Sequence, residues 1–312
     1  MVPRPLSDGL RAALTFPQST ISVSRWALHA VLFAATLAST TIVGVVLHES
    51  FQAGQPIEVD RYWEVIKQLY HYPRMLSEGL AFSLPLMTIL LAHELGHYFA
   101  CRYYGIDASL PYFLPAPTPV VGTLGAFIRI RSPIYTLRAL FDVGIAGPLA
   151  GFIVLVPVLA IGLANSHVIP GIAERGDVVF GVPLIQRIME WMIFPSVPSS
   201  NILLHPVARA AWVGILATAL NLLPIGQLDG GHILYAFAGG RHKLLSRVFV
   251  FVLVLLGIFY SRTWLVWAVL LFFFALRHPA IYDFRKLDSN RVALGLVALA
   301  ILILTFTLVP IR

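Results

Sequence analysis

Two histidines and a glutamate stand at the end of a long apolar run, in residues 87–105, MTILLAHELGHYFACRYYG. Residues four apart on an α-helix differ by about 40° around the axis and about 6 Å along it, so His93 and His97 can offer ring nitrogens to one ion. Glu94 lies off that line but close enough to take a proton from a water on that ion. The spacing therefore predicts two zinc ligands and a general base.

The alternative is that His93 and His97 are simply buried histidines whose nitrogens are satisfied by hydrogen bonds. Ionisable side chains within an apolar span are costly, and those that persist usually have a functional role. We therefore favour the metal-site interpretation.

A catalytic zinc site usually has three protein ligands and one open position, so a third ligand is required. Cys101 lies eight residues after His93, which is about 12 Å along a helix, too far for both to bind one ion. We expect Cys101 to be a packed residue. Of the remaining carboxylates within apolar runs, Asp142 follows Arg138 by four residues, where an interfacial ion pair is the simpler interpretation. Asp229 has no basic residue near it in the sequence.

Asp229 lies in a segment that interrupts an apolar run, residues 221–232, NLLPIGQLDGGH. Its proline and glycines break the helical hydrogen bonds, and unwound backbone at membrane depth is tolerated only against protein or a wet cavity. The alternative is a proline kink followed by a polar turn. Asn221 could donate its amide to a substrate carbonyl or to the oxyanion formed during attack. We expect His232 to lie at the edge of the cavity, not on the metal.

The composition predicts the environment of the chain. Its 312 residues are 58% hydrophobic and 12% charged, whereas an average soluble domain is about 25% charged. This composition predicts an integral membrane protein in contact with lipid. The net charge of +7 does not indicate a nucleic-acid partner, because no Lys/Arg cluster alternates with aromatic residues. The single cysteine excludes an internal disulfide and a multi-cysteine metal site.

Apolar runs long enough to cross about 30 Å of hydrocarbon predict an all-α polytopic membrane protein with about seven transmembrane helices. One of the seven is a discontinuous helix, interrupted by the segment that contains Asp229. The first 25 residues lack the apolar core of a signal peptide, so we expect the first run to remain as an anchor. The predicted runs are 26–47, 80–100, 140–164, 207–223 continued by 232–238, 248–260, 264–276 and 292–309.

Most of the 22 lysines and arginines fall on one side of these crossings, which predicts a cytoplasmic N-terminus. We divide the chain into three parts. Residues 1–79 form an N-terminal arm, the first transmembrane helix and an outer loop. Residues 80–240 form a catalytic membrane core, and residues 241–312 form the C-terminal transmembrane helices.

Residues 109–133, SLPYFLPAPTPVVGTLGAFIRIRSP, are rich in proline in their first half and alternate in hydrophobicity afterwards. This pattern disfavours a helix and predicts an extended segment that dips back beside the site. Because a peptide bond inside a helix is shielded, an extended edge could hold an unwound substrate by main-chain hydrogen bonds. The alternative is an ordinary interfacial loop.

Four motifs together resemble the site-2 protease family of zinc intramembrane metalloproteases: HELGH (93–97), GTLGAF (122–127), AGPLAG (146–151) and NLLPIGQLDGGH (221–232). Their order and spacing match over residues 80–240. The resemblance implies one zinc ion per chain, held by His93, His97 and Asp229. It also implies Glu94 as the general base and Asn221 as a catalytic residue at the substrate carbonyl.

The resemblance further implies a re-entrant β-like loop whose residues bind substrate, and a membrane-anchored protein as the substrate of regulated intramembrane proteolysis. No PDZ or CBS domain is recognisable in the chain. We expect a prokaryotic plasma membrane, with an organelle as the alternative. Two other function classes, a metal transporter and an inactive scaffold that binds membrane helices, are the rival hypotheses. The loop residues expected to bind substrate are Gly122, Thr123, Leu124, Gly125, Ala126 and Phe127.

Overall fold

The computed structural model describes residues 23–58, 60–176, 179–274 and 286–311, and within them the fold is mostly helical. We number the elements in chain order. The helices are α1 (Val23–Gln52), α2 (Arg61–His71), α3 (Leu76–Tyr103), α4 (Leu137–Ala164), α5 (Leu184–Ile193), α6 (Pro206–Leu222), α7 (Asp229–Ala238), α8 (His242–Phe259), α9 (Thr263–Phe274) and α10 (Ser289–Thr305). The strands are β1 (Tyr112–Pro115), β2 (Thr123–Phe127), β3 (His167–Val168) and β4 (Ile202–Leu203).

Four helical runs in the described residues are long and apolar enough to cross a membrane: Trp26–Gln52, Pro73–Tyr103, Leu137–Ala164 and Asp229–Phe259. The first three confirm the long apolar helices predicted at 26–47, 80–100 and 140–164. The run predicted at 292–309 instead forms α10, whose 17 residues span only about 26 Å. The count of seven crossings stays a prediction.

The predicted interruption of the helix at Pro224 is confirmed. Helix α6 ends at Leu222, and the chain makes a turn before α7 begins at Asp229. Glycines allow the restarted helix to pack against the end of α6, because a β-carbon at Gly230 would overlap the carbonyl oxygen of Leu222. Helix α7 then continues through one 3₁₀ turn into α8, so the second half of the interrupted run joins the following helix.

Helix α3 lies at the centre of the fold, packed against α1, α4 and α6. A glycine on α3 makes its crossing with α4 close, because a β-carbon at Gly96 would overlap the carbonyl oxygen of Ala146. The apolar core on both sides of α3 includes the fully buried side chains of Phe82, Leu86, Leu155 and Leu159. The groups that α3 carries are therefore held on a rigid, buried element.

The extended structure predicted after residue 109 is confirmed as an antiparallel pair of strands, β1 and β2. Phe113 faces Ala126 in this pair. The pair rests on α1, where the Ser39 hydroxyl donates a hydrogen bond to the carbonyl oxygen of Gly122 at 2.7 Å. Gly122 has φ +78°, and a β-carbon there would lie 2.8 Å from the carbonyl oxygen of Ser39. Only glycine suits this position. The re-entrant placement of the strands in the membrane stays a prediction.

Candidate metal centre

Two neighbouring turns of α3 present His93 and His97 on one face, and both side chains are buried. Asp229 is the first residue of α7, directly after the break in the interrupted helix, and its side chain reaches the same point. It is 136 residues from His93 in the sequence. The break in the helix thus brings a carboxylate to the two imidazoles.

The three side chains meet at nearly equal distances. Nε2 of His93 and Nε2 of His97 lie 3.2 Å apart. Oδ2 of Asp229 lies 3.2 Å from Nε2 of His93 and 3.3 Å from Nε2 of His97. Among the described residues, His93, His97 and Asp229 form a group of His, Cys, Asp or Glu side chains whose ligand atoms are close enough together to hold a metal ion.

The donor set fits zinc. Ligand atoms at about 2.0–2.1 Å from a tetrahedral zinc ion lie about 3.3 Å from one another, as these three atoms do. Two imidazole nitrogens and one carboxylate oxygen are also ligands that zinc accepts at catalytic sites. Three protein ligands leave the fourth tetrahedral position open.

The orientation of the His97 ring supports the same interpretation. Its Nδ1 lies 2.7 Å from the carbonyl oxygen of Val143 on α4, which can only accept a hydrogen bond. A neutral His97 ring therefore carries its proton on Nδ1 and directs the lone pair of Nε2 at the carboxylate of Asp229, the orientation that a metal ligand requires. A cation, either a metal ion or a proton on Nε2, therefore lies between these two atoms, which are 3.3 Å apart.

Two glycines of α4 provide the space for the imidazoles. A β-carbon at Gly147 would overlap the His97 ring, and one at Gly151 would lie 3.1 Å from Cβ of His93. The sequence analysis used these residues only as part of the AGPLAG motif and missed their role. The available signal was a pair of glycines four apart, the same spacing as the two histidines that they face.

Glu94 and Asn221 lie beside the three candidate ligands. The Glu94 side chain is buried, and the backbone N–H of Ile128, just after β2, faces its carboxylate. Nδ2 of Asn221 lies 3.2 Å from Nε2 of His93. A carboxylate and an amide donor therefore border the point where the ligand atoms converge.

Two cavities open from this centre. The first, of about 200 Å³, is the polar cavity, lined by His97, Asp229 and His232 among others. The second, of about 180 Å³, is the apolar cavity, lined mainly by aliphatic side chains. Both are bordered by His93, Glu94 and Asn221, so the candidate reactive groups form the wall between them.

The substrate-binding loop predicted from the sequence lies partly in these cavities. Leu124, Gly125 and Ala126 line the apolar cavity, while Ala126 and Phe127 line the polar cavity. Gly122 and Thr123 do not line either cavity. They hold the strands, and the Thr123 hydroxyl donates a hydrogen bond to the carbonyl oxygen of Leu114 at 2.8 Å.

Other sequence-based expectations are settled by the same structure. Cys101 is fully buried and packed, as predicted. His232 lines the polar cavity and is not one of the three convergent side chains, also as predicted.

The prediction that Asp142 pairs with Arg138 was wrong. Asp142 does form an ion pair, but with Arg291 at the start of α10, where Nε lies 2.9 Å from Oδ1. The hydroxyl of Tyr104 also donates a hydrogen bond to this carboxylate. Arg138 lies on the same helix turn but is exposed. A residue 149 positions away has displaced the local candidate because the fold brings it closer.

Comparison with known proteins agrees with the geometry. The chain is similar to "Probable zinc metalloprotease EGY1, chloroplastic" of Arabidopsis thaliana, with 29% identity over 77% of this chain and 44% of the relative. It is 31% identical to "Probable zinc metalloprotease EGY2, chloroplastic" of the same plant, over 72% of this chain and 41% of the relative. The EGY2 protein of Oryza sativa subsp. indica is 27% identical over 94% of this chain and 52% of the relative.

The chain spans about half the length of these curated relatives. Residues 81–261 match the family described as Peptidase family M50, which confirms the resemblance drawn from the four motifs. This match covers more than half of the chain and includes every candidate ligand. The chain therefore belongs to Peptidase family M50.

Proposed function

We propose that this protein is a zinc-dependent intramembrane endopeptidase that hydrolyses peptide bonds in or near transmembrane segments of membrane-anchored proteins. The observation that carries the proposal is the convergence of His93, His97 and Asp229 within 4.8 Å of one another, with Glu94 alongside, on helices that are apolar enough to cross a membrane. Membership of Peptidase family M50 supports the same activity.

In this proposal His93, His97 and Asp229 hold one zinc ion per chain. Zinc, when bound, supplies a Lewis acid that polarises the scissile carbonyl and lowers the pKa of water. Glu94 takes a proton from the attacking water as the water oxygen bonds to the carbonyl carbon. It passes that proton to the leaving nitrogen as the C–N bond breaks. The amide of Asn221 donates a hydrogen bond to the carbonyl oxygen as negative charge develops there.

We propose that β2 holds the substrate in an extended form. A peptide bond inside a helix is shielded, so the substrate has to unwind before attack. Within the described residues, β2 is paired on one side only, with β1. Its other edge is not paired with a strand in the described residues and could accept main-chain hydrogen bonds from a substrate, and Leu124 on the same strand is 75% exposed. Residues Leu124–Phe127 would then align the substrate with Glu94.

The topology belongs to the proposal as well. We propose seven crossings, a re-entrant β1–β2 pair and a cytoplasmic N-terminus, on the evidence of the apolar runs and the distribution of lysines and arginines. Residues 80–240 would form the catalytic core. For the membrane we keep the expectation of a prokaryotic plasma membrane. An organelle membrane is the alternative, because the names of the relatives describe them as chloroplastic.

The test uses purified protein, its zinc content and cleavage of a single-span model substrate. Glu94→Gln should keep the zinc and lower the cleavage rate by about 10²-fold or more, because the general base is lost. Asp229→Ala should lose the zinc. The matched control is Glu78→Gln, because Glu78 is exposed on the first turn of the same helix. It should keep both zinc and activity.

Cleavage that survives Glu94→Gln would refute the proposed base. Two other outcomes would favour the rival hypotheses. Zinc flux into liposomes that contain the wild-type protein would indicate a transporter. Tight binding of the single-span substrate, with zinc present and no cleavage, would indicate a scaffold.

A further inference from the structure

The apolar cavity places a hydrophobic compartment directly beside the candidate reactive groups. Glu94, His93 and Asn221 border it, while Asp229 and His97 line only the polar cavity. Its remaining wall includes Ile89, Leu90, Ala217, Leu220, Trp267 and Leu271. Any side chain that enters this cavity lies next to the bond that Glu94 would act on.

The far wall of the apolar cavity comes from α9. Trp267 is half-buried and packs in the same apolar cluster as Leu220 and the 4%-exposed Leu271. The helix is held in place at its start, where Nε1 of Trp264 donates a hydrogen bond to the carbonyl oxygen of Leu308 at 2.9 Å. Helix α9 is therefore held in place at its start, and Trp267 packs against the apolar cluster from this helix. Trp267 and Leu271, the residues of α9 that line the apolar cavity, lie outside the segment that matches Peptidase family M50.

Strand β2 connects the two cavities. Leu124 and Gly125 line the apolar cavity, Phe127 lines the polar cavity, and Ala126 lines both. A substrate strand paired with β2 would therefore pass from one cavity to the other across Glu94. Because successive side chains of a strand point to opposite faces, one of the two residues that flank the cleaved bond would direct its side chain into the apolar cavity.

The lining selects the chemistry of that side chain. Among the described residues that line the apolar cavity, the ionisable groups are His93 and Glu94, both at the wall shared with the metal centre. A charged substrate side chain would lose its hydration against the aliphatic wall, and the groups that could pair with it, His93 and Glu94, are those assigned to the zinc and to the general base. An aliphatic side chain would instead replace water against Ile89, Leu90 and Leu271.

We propose that the apolar cavity is the specificity pocket of this protein, and that Trp267 sets its size. The pocket takes a large apolar side chain, such as leucine, from the substrate residue beside the cleaved bond. Trp267 excludes bulkier side chains. This inference rests on the proposed peptidase function, since it assigns the side chain that the same site accepts.

The first experiment measures kcat/KM for single-span substrates that carry Ala, Leu, Phe or Asp beside the cleaved bond. The wild-type protein should prefer Leu to Ala and to Asp by about tenfold or more. Trp267→Ala should raise the Phe-to-Leu ratio by about tenfold with unchanged zinc content, because the pocket is enlarged. Ala217→Leu, on the opposite wall, should shift the preference towards Ala.

The matched control is Phe273→Ala. Phe273 is another large aromatic on α9, but it is 69% exposed and lines neither cavity. Its substrate preference should equal that of the wild-type protein. An unchanged Phe-to-Leu ratio in Trp267→Ala would overturn the assignment of Trp267. Absence of all cleavage by the wild-type protein would instead refute the peptidase function.

A second experiment decides the location without cleavage. Cys101 is the single cysteine, so a Cys101→Ala, Glu94→Gln background allows disulfide cross-linking from one introduced site. Trp267→Cys in this background should cross-link to one position of a substrate scanned with cysteine, and Phe273→Cys should not. If Trp267→Cys gives no cross-link with co-purified substrate, the apolar cavity is not the pocket.

Discussion

Nδ1 of His97 donates a hydrogen bond to the carbonyl oxygen of Val143 across the interface between α3 and α4, at 2.7 Å. This bond determines which ring nitrogen of His97 faces Asp229, so the backbone of α4 orients a candidate ligand on α3. The orientation depends on how closely the two helices approach, and the glycines of α4 control that distance.

Substitution of Gly147 should therefore weaken zinc binding. In Gly147→Ala the added β-carbon overlaps the His97 ring and has to displace it. Because groups outside the ligand set typically change metal affinity by about 10–100-fold, we expect a loss of that size, measured by competition with a chelator. Gly240→Ala is the control, since its β-carbon meets no atom within 4 Å. Wild-type affinity in Gly147→Ala would contradict the assigned role.

Asn221→Ala should separate catalysis from metal binding. The amide of Asn221 lies 3.2 Å from Nε2 of His93 but is not one of the three convergent ligands. Loss of one oxyanion donor typically lowers kcat by about 10²–10³-fold. We expect that loss with full zinc content. Asn165→Ala, at an exposed asparagine after α4, should change neither quantity. Loss of zinc from Asn221→Ala would show instead that the residue supports the metal.

Arg291→Ala should destabilise the attachment of α10. Its guanidinium binds both carboxylate oxygens of Asp142, at 2.9 and 2.5 Å, and the side chains of both residues are half-buried. Removal leaves the Asp142 charge without this partner and should cost about 1.5–3 kcal/mol of unfolding free energy. Thermal unfolding in detergent measures the effect. Arg138→Ala, which removes the partner expected from the sequence, should have little effect. A larger loss of stability in Arg138→Ala than in Arg291→Ala would instead indicate that Asp142 pairs with Arg138.

The stability of the protein should also depend on pH through His205, which precedes the first residue of α6. Burial lowers the pKa of His205 below its ordinary value, and the nearby His48 and His167 lower it further. The unfolded chain therefore binds a proton before the folded chain does as the pH falls, so the unfolding free energy decreases below about pH 6.5.

His205→Asn isolates this effect. His205 caps α6 by accepting a hydrogen bond from the backbone N–H of Val207 at 3.3 Å. Asparagine can also cap a helix but does not titrate. The melting temperature, measured between about pH 8 and pH 5, should decrease less in the variant than in the wild-type protein. Equal slopes would exclude His205 as a contributor.

The sequence by itself was sufficient for the local features. Spacing along one helix placed His93, Glu94 and His97 together, because helical periodicity is a property of neighbouring residues. Hydrophobic runs predicted the long helices, and Pro224 predicted the break that positions Asp229. The proline-rich and alternating pattern predicted the extended segment that contains the strands β1 and β2.

Only the tertiary structure decided which distant groups meet. It brought Asp229 to the two histidines, paired Asp142 with Arg291 instead of Arg138, and placed Trp267 on the wall of the apolar cavity. It also showed why Gly147 and Gly151 are glycines. The physical reason is that these contacts depend on how helices pack across tens of residues, and packing is a property of the folded chain, not of any one segment.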